Sequence, residues 1–160
     1  MWLVYRLLFV CSEYDTMDDG PQATAEGAVG MIEPSGAPWS VPRSYLKLCQ
    51  GFGAALTARL TPEPGDWLWG PDGLELVTSA TRQRQPGEVL VPRLERLLRL
   101  LEAEAPVFVL DYQRGDYACL AFDQEGRSLA NVVAPCPAEA VLRAILFIRA
   151  ERAANDRSRQ

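Results

Sequence analysis

Between Pro106 and Pro137 lie three apolar runs, Val107–Tyr112, Tyr117–Phe122 and Arg127–Val133, separated by two short polar turns. Gln113-Arg114-Gly115-Asp116 and Asp123-Gln124-Glu125-Gly126 each carry a glycine near their end, as hairpin loops of this length do. Turns this short join antiparallel neighbours, so the segment reads as a three-strand meander. A meander buries one face and needs something to bury it against. The flanking sequence supplies it on both sides.

Upstream, Leu90, Leu94, Leu97, Leu98 and Leu101 recur at three- and four-residue steps, which predicts an amphipathic helix over Glu88–Ala105. Glu95 and Arg99 stand four apart in the favourable order, and Leu100 widens the apolar face. Downstream, Pro137 and Glu139 mark a helix start. Val141, Leu142, Ile145 and Ile148 continue its face, broadened by Leu146 and Phe147, and Arg149 and Arg152 suit its C-terminal end.

An earlier helix is predicted from Pro42 and Ser44 onward, with Tyr45, Leu46, Cys49, Phe52, Leu56 and Leu60 on one face. Gly51 and Gly53 mark either close packing or a break in it, since each costs about 1 kcal/mol inside a helix. Asp66–Ser79 predicts a hairpin. Trp67-Leu68-Trp69 is one arm, Leu74–Thr78 the other, and Gly70-Pro71-Asp72-Gly73 the turn, because proline presets φ and Asp-Gly tolerates reversed dihedrals.

The first 42 residues read as an appendage. Leu3–Val10 is a strand candidate, too short for a bilayer span, which needs about 20 residues. Arg6 interrupts it, and no small-residue cleavage site follows, so it is not expected to be a signal peptide. An acidic stretch from Ser12 to Gly27 follows, then the apolar piece Ala28–Ile32, then a loop with Pro34, Gly36, Pro38 and Pro42. The expected organisation is therefore an appendage over 1–42, a single α+β core domain over 43–152 in the order α-β-β-α-β-β-β-α, and a polar tail over 153–160.

Histidine is absent from all 160 residues, which removes the commonest general base, zinc ligand and triad relay. A Cys–His nucleophile cannot be built within the chain. Cys11, Cys49, Cys119 and Cys136 form no C-x-x-C pair and sit among apolar neighbours, so buried free thiols in a cytoplasmic protein are expected. Cys136 precedes a helix start, where a thiolate can be stabilised. It is the candidate reactive residue, set against a capping role. Asp111, Arg114 and Asp116 flank one turn and are read as turn chemistry and ion pairing rather than acid–base catalysis. No cofactor is expected.

The net charge of −5 is concentrated: residues 1–35 hold six acids and one base, and the rest balances. No basic stripe suggests a nucleic-acid partner, and the arginines from Arg149 onward read as a solvated helix end. Glu13, Asp15, Asp18 and Asp19 lack the alternation of an EF-hand loop and read as a solvated or partner-facing acidic patch. Trp2, Trp39, Trp67 and Trp69 are core residues or, if uncovered, an interaction patch.

The element order resembles that of the Roadblock light-chain family of the profilin-like group. The segment from Trp67 to Ser79 is similar to that family's first hairpin, and Phe108–Val133 to its meander, with the resemblance spanning roughly residues 43–152. It implies a non-enzymatic adaptor or regulator, of Ras-like GTPases or of larger assemblies. It also implies a homodimer paired through the second helix and the strand after it, here Leu97, Leu100, Leu101, Val107 and Val109. The alternatives are an acidic immunity or inhibitor protein or a secretion chaperone that uses the acidic patch, and a hydrolase or transferase that uses carboxylates or Cys136.

Overall fold

The structure is a computed structural model and describes residues 41–159. The expected N-terminal strand, the acidic residues Glu13, Asp15, Asp18 and Asp19, and Cys11, Trp2 and Trp39 lie outside the described residues. The elements are α1 (Arg43–Gln50), α2 (Ala54–Thr57), β1 (Trp67–Gly70), β2 (Gly73–Leu76), β3 (Val89–Val91), α3 (Leu94–Glu104), β4 (Val107–Gln113), β5 (Asp116–Phe122), β6 (Ser128–Ala134) and α4 (Pro137–Arg157). The strands form two antiparallel three-stranded sheets, ordered β2-β1-β3 and β4-β5-β6. The α+β class holds, as do the first hairpin and the meander.

One element differs from the sequence expectation, and one reading left open is decided. The first helix breaks at Gly51–Gly53, one of the two readings its glycines allowed. There the Gly51 N–H still reaches the Lys47 carbonyl at 2.9 Å, but the Gly53 N–H bonds the Leu48 carbonyl at 2.8 Å, one residue further back than an α-helix allows. A Cβ on Gly53 would stand 2.9 Å from the Leu48 carbonyl and 3.3 Å from Leu142 Cδ2, so the chain makes this turn only where it carries no side chain. The difference is β3. Val89, Leu90 and Val91 were expected in the helix; instead they pair with Trp69, Leu68 and Trp67. Pro92 drives the residue before it toward extended geometry, and two valines favour a strand, so the helix starts only at Leu94.

The main core gathers Tyr45 and Cys49 of α1, Leu97 and Leu101 of α3, the inner face of β5 and β6, and Leu142, Ile145 and Ile148 of α4. The sheet offers this core small side chains, Cys119, Ala121, Ala130 and Ala134. Their low relief admits the large residues of α4, which packs on α3, β5 and β6. Trp67 and Trp69 are half-buried against this core. Leu68 and Leu90 point to the opposite face of their sheet and join Val77 in a smaller cluster. Helix α4 opens on Cys136, whose Sγ accepts the Glu139 N–H at 3.3 Å. Residues 150–157 of the helix are exposed, so the polar tail starts as a solvated helix end.

Three carboxylates tie the elements together. Buried Asp66 accepts the Arg93 and Glu63 backbone N–H groups at 3.0 Å each and the Arg96 guanidinium, which joins the approach to β1 to the start of α3. Glu139 accepts the Ser44 hydroxyl at 2.6 Å and the Arg143 guanidinium at 2.7 Å, which joins α1 to α4. Glu104 accepts Arg149 at 2.8 Å and also Arg152, which joins α3 to α4. Buried charge is tolerated when paired and hydrogen-bonded, as the buried Asp66 and Glu139 are.

Candidate interaction surface

Strand β4 starts beyond Pro106 and ends in a two-residue turn. Arg114 (φ 54°) and Gly115 (φ 96°) both lie in the left-handed region, as a type I′ hairpin requires. That turn closes on Gln113 opposite Asp116, and the pairing then runs without irregularity to Val107 opposite Phe122. The closing pair of such a hairpin exchanges both hydrogen bonds, and bonding alternates from there. Val107, Val109, Asp111 and Gln113 therefore turn their backbone groups toward β5. Phe108, Leu110 and Tyr112 turn theirs outward, along an edge that no strand among the described residues covers.

The side chains along this edge are mostly apolar. Val107 and Val109 are 52% and 48% exposed on the face away from the core, with Val133 of β6 exposed on the same face. Phe108 and Leu110 are half-buried against the core. Tyr112 is exposed, its ring tilted against Tyr117 at 4.9 Å. The one charged residue of β4 is Asp111, whose carboxylate accepts the Gln113 side-chain amide at 2.6 Å.

The structure brings together only part of the residue set expected at a dimer interface. Val107 and Val109 are accessible, and Leu100 is half-buried. Leu97 and Leu101 are not accessible: both are fully buried within the chain's own core, because they lie one turn apart on the side of α3 that packs against α4. Phe108 and Leu110 lie in the strand Val107–Leu110 that the resemblance assigns to the dimer, and Tyr112 just beyond it was not singled out from sequence; the two-residue turn fixes which backbone groups of all three face outward.

The other candidates resolve into structural roles. Burial pushes the Cys49 thiol up to about 12 and Cys119 to about 11, and raises Cys136 as well. All three are buried free thiols. A raised thiol is the opposite of an activated nucleophile, so Cys136 serves as a helix cap. Arg114 and Asp116 are exposed turn residues. A groove of about 350 Å³ runs beside α2, lined by Thr57, Ala58, Arg84, Gln85 and Glu88. Its polar groups are already engaged. Arg84 donates to the Thr57 and Ala58 carbonyls at 3.2 and 3.0 Å, and Glu88 accepts from Arg82 at 2.6 Å and the Gln85 N–H at 2.6 Å.

Among the described residues no group of three or more Cys, Asp or Glu is placed to hold a metal ion, and no helix is long and apolar enough to cross a membrane. Comparison with family models, with curated proteins and with solved structures finds no match for this chain.

Proposed function

We propose that this protein is a non-enzymatic interaction module, a Roadblock-like adaptor or regulator, that works as a homodimer built through strand β4. The observation that carries the reading is the edge of β4 that no strand among the described residues covers, seven residues long and regularly paired on its other side, with two exposed valines and a single charge. Such an edge invites pairing with another chain, and natural sheets normally blunt it with lysines, prolines, bulges or short length. Among the described strands, the edge strands of the other sheet, β2 and β3, are short, with four and three residues, and β6, on the far side of the same sheet as β4, is as long as β4 but shifts register against β5 near Phe122. Pairing two copies about a two-fold axis removes the exposed edge and extends the sheet.

The described thiols and buried carboxylates favour an interaction role, since each already serves the fold. Regulation of a Ras-like GTPase is the specific role that the resemblance adds. The test is the mass of the full chain in solution at micromolar concentration. A dimer is expected, and Leu100→Glu should convert it to a monomer with an unchanged circular dichroism spectrum. A wild-type monomer would refute the reading.

A further inference from the structure

The geometry points to a single register for that dimer, with Leu110 of the two copies facing each other on the two-fold axis; the inference rests on the dimer reading above. Three donors and three acceptors face outward from β4, on Phe108, Leu110 and Tyr112. Antiparallel partners bond only when outward-facing residues stand opposite one another, so Phe108, Leu110 or Tyr112 of one copy must meet one of the same three on the other. Centring on Leu110 pairs Leu110 with itself and Phe108 with the partner's Tyr112, and every outward group finds a mate.

Moving the axis to Val109 sets Tyr112 opposite the partner's Pro106, which has no N–H to give. Moving it to Asp111 sets Phe108 opposite the partner's Arg114 in the turn, and two carboxylates directly against each other. Like charges directly opposite are destabilising. The Leu110 register is the one of the three that saturates the edge and keeps the two Asp111 side chains from facing each other. It also keeps Phe108, Leu110 and Tyr112 of both copies on one face of the extended sheet.

This register makes Val109 the direct neighbour of the partner's Asp111, in the close, non-hydrogen-bonded type of pair, with about 4.5 Å between Cα atoms. Both side chains lie on the face away from the core, so substitutions there leave the packed interior alone. Charge can therefore read the register. Val109→Asp places a carboxylate against the partner's Asp111 twice per dimer and should raise the dimer dissociation constant about tenfold or more. Adding Asp111→Lys to the same chain turns both contacts into ion pairs and should bring the constant back close to the wild-type value.

Sedimentation of the full-length wild type, Val109→Asp and Val109→Asp/Asp111→Lys tests this. Loss followed by rescue supports the register. A wild-type dimer whose double variant folds but stays dissociated overturns the register while leaving the dimer reading intact. A wild-type monomer overturns both. Should the double variant fail to fold, Val109→Lys alone decides: facing the partner's Asp111 it should lower the dimer dissociation constant, and a constant unchanged or raised would overturn the register.

Discussion

Arg114 occupies a position that few side chains take without strain. At φ 54° it is the one non-glycine residue with positive φ among the described residues. Left-handed geometry costs an ordinary L-residue about 1–2 kcal/mol, and asparagine tolerates it best. Arg114→Asn should raise stability by about 0.5–1 kcal/mol, read as a higher denaturant midpoint at unchanged m-value. The buried thiols make a pH prediction of the same local kind. Their folded pKa values lie above the ordinary value near 9, at about 11 for Cys119 and about 12 for Cys49. The folded state therefore holds its protons longer than the unfolded state. Their contribution is fully present below about pH 9 and is lost as pH rises through 11 to 12. Urea titrations from pH 7 to 11 should show stability falling above pH 9, and Cys119→Ala should flatten that fall. A curve that does not change with the substitution would contradict the burial argument.

Among the elements, the junction at Asp66 holds the most. One carboxylate accepts two backbone N–H groups and a guanidinium that is itself buried. Asp66→Ala would leave Arg96 charged and without its main counter-ion, a loss of about 3–5 kcal/mol for a broken buried pair. Chemical denaturation should show it, with the start of α3 losing amide protection first. The sequence signals that survived folding were those with a local mechanism. Pro71-Asp72-Gly73 turned as expected, Arg114-Gly115 closed its hairpin, and Pro137 opened α4. The leucine stripe misled at its start because Leu90 has helical spacing to Leu94 and Leu97, while Pro92 and the free edge of β1 compete for the same residues and win. The glycines at 51 and 53 marked the break locally, but the closeness of Leu142 to Gly53, almost ninety positions away, is set by the packing of α4. Of the residues expected at a dimer interface, Val107 and Val109 are accessible, whereas the sidedness of α3, which buries Leu97 and Leu101, is decided by α4.

For the whole molecule, the described residues make a domain with helices covering one side of a meander and leaving its first strand open along one edge. Internal carboxylates, thiols and loop arginines hold that arrangement, and the outward row of backbone groups on β4 is left without a strand partner among the described residues. An interaction module needs a stable frame and one unsatisfied surface. The measurement that bears most directly on this reading is the sedimentation-equilibrium mass of the full chain across the micromolar range. The account predicts twice the 17.7 kDa of one chain, falling to a single chain on dilution or with Leu100→Glu. A mass that stays at one chain throughout that range would contradict it.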